Sequence, residues 1–184
     1  MHVALDRDDN DRHAVYRLRY EVFTKEGGDE RYADHERQFF IDQDDGPQSR
    51  LVIAWDDDGQ AIGTMRLTVL REHAFIANDC YGFEVLADLL SMNLEELRQR
   101  VIRGDRSVIA SASRGQGVLE HLQNAGEEYA ASRGCDILVG SYRTDADERA
   151  RRAWNKQGWL EYPFIGNYNG YVAKLIYKQL KHRV

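Results

Sequence analysis

Cysteine and long apolar runs are what this sequence has least of. Its 184 residues include two cysteines, and neither Cys80 nor Cys135 suggests a disulfide framework or a metal-binding motif. No stretch approaches the roughly 20 apolar residues of a membrane-spanning helix, and the acidic N-terminus lacks the apolar core of a signal peptide. The sequence therefore predicts a protein of the reducing cytoplasm, with no metal site and no membrane span.

A surplus of positive charge is also missing. The formal net charge is -6, which argues against a general nucleic-acid-binding protein. No internal repeat, low-complexity segment or linker divides the chain. We therefore expect residues 1–184 to form a single domain with a sizeable core.

The spacing of apolar residues predicts an N-terminal helix followed by mixed strands and helices. Asp11 is expected to cap a helix over residues 11–25, after a loose polar start over residues 1–10. Asn93 is the predicted N-cap of a helix that Gly104 ends. The remaining expectations are helices over residues 34–39, 83–90, 94–102, 147–157 and from 118, with strands over 50–55, 61–70, 107–110, 136–141, 160–165 and 171–177. This order indicates an α/β or α+β fold with a mixed sheet.

The most informative stretch covers residues 106–134, which reads as strand, glycine-bearing turn and helix. The turn contains Arg114-Gly115-Gln116-Gly117, and apolar residues recur at helical spacing from Val118 onward. Glycines let backbone N–H groups turn inward, and a helix directs its positive end toward its N-terminus. The stretch is therefore predicted to bind an anion.

This turn resembles the Q/R-x-x-G-x-G/A signature of the GNAT superfamily of N-acyltransferases. Leu119 and Trp154 stand where that family usually has a small residue and a tyrosine. The resemblance implies a mixed central sheet with a splayed central strand, flanked by helices. It also implies that the Ile109 N–H faces the donor thioester. The donor arm would be lined by Ala110, Ser111 and Ser113, and its pyrophosphate would be bound by the amides of Arg114, Gly115, Gln116, Gly117 and Val118.

The N-terminal half resembles a narrower group, the acyl-homoserine-lactone synthases and related N-acyl amino acid synthases. The matching features are the RLRYEVF helix with Arg19 and Phe23, the pair Asp42 and Asp45, the G-x-x-R-L strand with Arg66, and Arg106. Arg103 occupies the place of that group's glutamate. Asp105 is expected to point away from Arg106, since strand neighbours face opposite sides.

The resemblance implies roles for these residues. Asp42 and Asp45 would be catalytic, and the acceptor would be bound by Arg19, Phe23, Arg66, Arg106 and Ser141. A structural salt-bridge network that fixes the N-terminal segment is the alternative reading of the charged residues. The aromatic residues Phe23, Phe75 and Phe83 either line an acyl pocket or belong to the core.

Together these features predict an N-acyltransferase that moves an acyl group from an acyl-CoA or acyl-carrier-protein thioester to the amine of a small molecule, an amino acid derivative. Acyl-CoA or acyl-phosphopantetheine would be a co-substrate, and no cofactor would be bound permanently. The basic residues of the helix over 147–157 would form a dock for an acidic carrier protein, a contact for CoA phosphate or a solvated face. The alternatives are an acyl-donor-binding module without turnover and a protein N-acetyltransferase.

Overall fold

The computed structural model describes residues 1–72, 81–143, 148–168 and 171–180. Contacts divide the chain into two compact units, one of Met1–Thr68 with Gly104–Glu128 and one of Val69–Arg103 with Tyr129–Val184. Phe75, Cys80 and the expected helix start at residue 147 lie outside the described residues. The single domain expected from the sequence stays a prediction.

Strands and helices alternate through most of the described chain. The strands are β1 (His2–Leu5), β2 (Ala33–Asp34), β3 (Phe39–Phe40), β4 (Ser49–Trp55), β5 (Ala61–Val69), β6 (Val101–Ile109), β7 (Ile137–Arg143), β8 (Leu160–Tyr168) and β9 (Tyr171–Gln179). The α-helices are α1 (Asp9–Arg19), α2 (Phe83–Leu89), α3 (Leu94–Arg100), α4 (Val118–Ser132) and α5 (Glu148–Lys156). A π-helix (Tyr20–Glu26) continues α1, and single 3-10 turns cover Leu70–Glu72 and Ser111–Ser113.

In the first unit, strands follow the order β1, β4, β5 and β6. The glycines of β5 and α4 allow these two elements to approach closely. A Cβ on Gly63 would lie 2.6 Å from Val118 Cγ1, and one on Gly126 would lie 2.6 Å from Met65 Cε. Because side chains alternate along a strand, the odd-numbered face of β5 packs on α4 and Arg66 points to the opposite face.

The N-terminus is more ordered than its polar sequence predicts. Residues of β1 pair antiparallel with β4, with Val3 opposite Ala54. The N-cap of α1 is Asp8, whose carboxylate accepts the N–H groups of Asn10 at 2.9 Å and Asp11 at 3.0 Å. The expected cap, Asp11, instead accepts hydrogen bonds from Arg7. The loose start and the Asp11 cap are therefore corrected, because sheet pairing and ion pairing override local polarity.

A hairpin replaces the helix expected over residues 34–39. Ala33 pairs with Phe40 and Asp34 with Phe39. Both phenylalanines are buried, although they are neighbours in the chain. An extended backbone achieves this by sending adjacent side chains to opposite sides, so tertiary burial decides against the helix.

In the second unit, the first residues of β6 pair in parallel with β7, from Val101 opposite Ile137 to Arg103 opposite Val139. Strand β9 pairs antiparallel with both β7 and β8. The Asn93 cap is confirmed, since its side chain accepts the Glu96 N–H at 2.8 Å. The expected end of α3 at Gly104 is wrong: Val101 and Ile102 are fully buried and already extended.

Apolar side chains from both helices and strands fill the core of the second unit. The core contains Leu70, Tyr81, Phe83, Leu86, Ala87, Leu97, Val101, Ile137, Val139, Tyr162, Ala173, Leu175 and Tyr177. Parallel and antiparallel pairs occur together with helices, so the mixed α/β fold class expected from the sequence is confirmed.

Candidate active site

A buried guanidinium on β5 is the centre of the candidate site. Arg66 has no exposed surface. It donates to both oxygens of Asp105, from Nε and from Nη2, at 2.8 Å each. It also forms a short contact with Asp42 and reaches Asp45 Oδ1 at 3.1 Å. Burying a charge in this way costs free energy unless the partners are close and hydrogen-bonded, and here they are.

The loop after β3 folds so that its carboxylates converge on Arg66. The Asp44 N–H donates to Asp42 Oδ1 at 2.9 Å, and the Asp42 N–H donates to Asp45 Oδ2 at 3.0 Å. Asp45 Oδ1 also accepts a hydrogen bond from Arg19 Nη1 at 2.7 Å. Asp44 Oδ2 lies 3.7 Å from Arg66 Nη2. The sequence-predicted pair Asp42 and Asp45 is thus brought together with Arg19 and Arg66.

Arg106 joins the same cluster through an unusual backbone conformation. Its φ is +50°, a value that side-chain-bearing residues rarely adopt. Arg106 Nε donates to Asp42 Oδ2 at 2.6 Å, while its neighbour Asp105 binds Arg66. The expectation that Asp105 is separated from the cluster is therefore wrong, because the positive φ at Arg106 interrupts the regular alternation of β6.

Three aromatic rings surround the Arg106 guanidinium. Its Cζ lies 5.8 Å from the centroid of Phe23, 5.2 Å from Tyr32 and 5.3 Å from Phe40. Phe23 and Phe40 are themselves 4.9 Å apart. Cations are attracted to aromatic faces at such distances. The predicted site residue Phe23 therefore contacts the cluster through Arg106.

The cluster brings side chains of both charges together. Four carboxylates, those of Asp42, Asp44, Asp45 and Asp105, surround Arg19, Arg66 and Arg106. Within the described part of the chain, the buried Nε and Nη2 of Arg19 have no hydrogen-bond partner. A buried cluster of this composition favours a ligand that brings both a positive and a negative group.

The ionisation of the cluster follows from its contacts. Burial by itself would raise the pKa of Asp42, but the charge and hydrogen bond of Arg66, with Arg106, outweigh it and hold that pKa below its usual value. Burial likewise opposes the charged form of Arg66, yet Asp105, Asp45 and Asp42 raise the pKa of its guanidinium well above the usual value. Asp42 and Arg66 are thus charged at neutral pH.

The glycine turn takes the form that the sequence predicts. Gly115 and Gly117 both have φ of +80°, and a Cβ at either would meet nothing within 4 Å. Their conformation, not crowding, requires glycine. Among the described residues, no acceptor receives the N–H groups of Gly115, Gln116 or Gly117. Helix α4 begins directly afterwards at Val118, so these donors lie next to the positive end of a helix.

The end of β6 leads into this turn. The Ala110 N–H donates to Ile62 O at 2.9 Å, toward β5. Since successive N–H groups of a strand point to opposite sides, the Ile109 N–H points away from β5. Ser113 is buried, whereas Ser111 is exposed. The donor-site roles of Ile109, Ala110, Ser111 and Ser113 stay predictions.

Other predicted residues lie elsewhere. Ser141 is in β7 of the second unit, and its role stays a prediction. Trp154 packs edge-to-face on Trp159, with ring centroids 5.2 Å apart. Phe83 stacks on Tyr81 within the core, which confirms the core reading for this residue.

Sequence reasoning missed Asp44, Asp105, Tyr32 and Phe40 as members of the cluster. Asp44 stands between the two selected aspartates, and Asp105 precedes Arg106, so proximity in the chain was the only available signal. Nothing local indicates that Tyr32 and Phe40 meet Arg106.

In the described residues, no group of three or more His, Cys, Asp or Glu side chains fits a metal ion, and no helix there has the length and apolarity needed to cross a bilayer.

Solved structures of acyltransferases share this fold. The CoA-dependent acyl-homoserine lactone synthase BjaI, solved with SAM and isopentyl-CoA, aligns with a TM-score of 0.70 and 14% identity, over 95% of this chain and 78% of its own. TofI, solved with an inhibitor and MTA, aligns with a TM-score of 0.69 and 18% identity, over 97% of this chain and 91% of its own. A GNAT-family acetyltransferase from Staphylococcus aureus Mu50 aligns with a TM-score of 0.60 and 11% identity, over 98% of this chain and 100% of its own. At these identities the likeness shows the GNAT fold.

Sequence comparison identifies the family. A search among curated proteins found no match. The family described as N-acyl amino acid synthase FeeM matches residues 14–150, which is more than half of the chain and includes the buried cluster, β6 and the turn. The N-acyltransferase expected from the sequence is thereby confirmed, and the chain belongs to the FeeM family of N-acyl amino acid synthases.

Proposed function

We propose that the protein transfers an acyl group from an acyl-CoA or acyl-carrier-protein thioester to the amine of an amino acid or a close derivative. The observation that carries this proposal is the buried cluster of three arginines and four aspartates in the unit that also contains the glycine turn. In a purely structural network the buried Nε and Nη2 of Arg19 would stay without an acceptor among the described residues. Unpaired buried donors of this kind cost free energy, so a ligand that accepts from them explains their presence.

The cluster supports an α-amino acid as acceptor. The unbonded Nε and Nη2 of Arg19 offer two parallel donors to a carboxylate, the geometry in which arginine binds carboxylates best. The carboxylates beside Arg19 suit an ammonium group. Arg19 thus binds the acceptor's carboxylate, while Asp42 and Asp45 orient its ammonium, which loses its proton through water.

The turn and the end of β6 support the donor site. The Ile109 N–H polarises the thioester carbonyl, and Ala110, Ser111 and Ser113 line the donor arm. The free amides of Gly115, Gln116 and Gly117, with Arg114 and Val118, bind the pyrophosphate at the start of α4. A donor such as the isopentyl-CoA bound by BjaI is of the proposed class.

The reaction is a direct transfer within a ternary complex. The neutral amine attacks the thioester carbon, forming a C–N bond and a tetrahedral oxyanion. The C–S bond then breaks, the carbonyl re-forms, and the thiolate takes up the proton that the attacking nitrogen gives up as it becomes an amide. The products are an N-acyl amino acid and a free thiol. Cys135 is buried, and burial raises the pKa of its thiol, so this residue is unsuited to act as a covalent nucleophile.

The burial of the cluster favours a small-molecule acceptor over a protein acceptor. Arg19, Arg66 and Asp45 have no exposed side-chain surface, and a lysine or N-terminus of a folded protein would need an open groove. We therefore favour the small molecule over protein N-acetylation. The exposed Arg151, Arg152 and Lys156 of α5 support carrier protein as a second donor to be tested.

The test follows free thiol in a panel of acyl-CoA and acyl-carrier-protein thioesters, each combined with the amino acids. We expect thiol release with at least one pair and an N-acyl product by mass spectrometry. Arg19→Met should raise the acceptor KM about tenfold or more, since a charged hydrogen bond is lost, while the CoA Kd is unchanged. Arg17→Met, an exposed change two residues away, is the matched control. No thiol release with any pair, and no thermal stabilisation by CoA, would refute the proposal.

A further inference from the structure

The Arg114 side chain contacts two parts of the first unit outside the turn. Its Nη2 lies 2.5 Å from Glu26 Oε2, and its Nε donates to Ile109 O at 3.2 Å. Arg114 is 52% exposed and Glu26 38% exposed. Glu26 is the last residue of the π-helix. The guanidinium is therefore held between the N-terminal segment and the end of β6, at a place that solvent and ligands can reach.

These contacts use groups that a donor would need. Arg114 begins the turn whose next three N–H groups have no acceptor in the described part of the chain. Ile109 O lies at the strand end along which the donor arm is proposed to run. A phosphate group binds arginine more strongly than an exposed carboxylate does, because it has more charge and more acceptor oxygens.

The segment that carries Glu26 ends at a pair of glycines. Gly27 and Gly28 follow it directly, and Gly28 has φ of +68° with nothing within 4 Å of an added Cβ. The π-helix geometry is itself uncommon and occurs frequently at functional sites. The segment also carries Phe23, whose ring contacts Arg106. A change at Glu26 is thus connected to the cluster proposed to bind the acceptor.

We infer that Glu26 is a gate residue that holds Arg114 in the donor-free protein and releases it when an anionic donor binds. The guanidinium passes from the Glu26 carboxylate to the donor's phosphates, and the segment Tyr20–Glu26 loses this attachment. The inference rests on the proposed donor site and extends it. It makes Glu26 a positioning residue that lowers donor affinity and favours binding of the donor before the acceptor.

The experiment measures binding of CoA and of inorganic pyrophosphate by calorimetry. Glu26→Gln should tighten both by about two- to fivefold, the factor that one exposed ion pair is worth. This gain in affinity should be absent when Glu26→Gln is combined with Arg114→Gln. If Glu26 only repelled anions through its charge, the gain would persist without Arg114. Glu21→Gln is the matched control, since Glu21 is 51% exposed and paired with Lys25 in the same segment; it should leave both affinities unchanged.

Hydrogen exchange gives an independent readout. CoA should increase amide exchange over residues 20–28 in the wild type, whereas Glu26→Gln should already show the faster exchange without CoA. The inference is overturned if Glu26→Gln leaves or weakens binding, if Glu21→Gln gives the same gain, if the gain persists beside Arg114→Gln, or if neither anion binds the wild type. CoA binding with the expected gate behaviour but no thiol release would overturn the proposed transfer alone.

Discussion

Arg66 on β5 holds Asp105 on β6 through two hydrogen bonds of 2.8 Å, with both side chains buried. This bidentate pair fixes the two strands at the point where Arg106 adopts a positive φ. A non-glycine residue in that region costs of order 1–3 kcal/mol. The ion pairs of Arg66 and Arg106 offset that cost, so the strain and the cluster belong to one arrangement.

Removing the central guanidinium should destabilise the protein strongly. Arg66→Ala leaves buried carboxylates without their partner, and we expect a loss of about 3–5 kcal/mol in the free energy of unfolding. Arg50→Ala is the control, because Arg50 is 43% exposed and lies 3.4 Å from Asp6; it should cost about 1 kcal/mol or less. Urea unfolding measures both. Equal losses in the two variants would contradict the central role of Arg66.

The backbone at Arg106 gives a test that compares alanine with glycine. Glycine adopts φ of +50° without strain, so Arg106→Gly should be more stable than Arg106→Ala by about 1 kcal/mol. The usual order in a strand is the reverse. Ser107, the next residue of β6, should follow that usual order, with Ser107→Ala more stable than Ser107→Gly. Thermal unfolding of the four variants decides, and the same order at both positions would rule out the strained backbone.

Acid should weaken the cluster through Asp42. Its pKa in the folded protein lies below the ordinary value of 3.8, so the folded state favours the ionised carboxyl. The stability that it contributes is complete above 3.8 and is lost as the pH falls through the folded-state pKa. Urea unfolding between pH 2.5 and pH 6 should show this loss in the wild type, with a flatter profile in Asp42→Asn. Parallel profiles would contradict the assignment.

Tyr142 should stay neutral at unusually high pH. Burial, followed by the hydrogen bond to Glu161 and its charge, raises the pKa of this phenol to about 12. NMR of tyrosine labelled at Cζ should show a ring that is still neutral at pH 11 and whose signal is missing in Tyr142→Phe. Glu161→Gln should lower the Tyr142 pKa toward its ordinary value of 10.0. If Glu161→Gln leaves the pKa of Tyr142 unchanged, Glu161 is excluded as a cause of its shift.

Local sequence was sufficient for elements whose signals lie within a few residues. The Asn93 cap and the start of α4 at Val118 each depend on neighbouring side chains and backbone groups. The errors fall where distant contacts override local preference. β1 forms because β4 offers a partner strand, and the hairpin at Phe39 and Phe40 forms because both rings are buried.

The sequence by itself determined the family, the mixed α/β fold and the glycine turn before α4, because glycines with positive φ beside a helix start are specified by contiguous residues. It also selected Arg19, Asp42, Asp45, Arg66 and Arg106 as one set through their resemblance to a known group. Only the tertiary structure decided how these charges pair. The bonds from Arg66 to Asp105, the rings around Arg106 and the contact of Glu26 with Arg114 depend on loop paths and on one distorted strand residue, which no local pattern encodes.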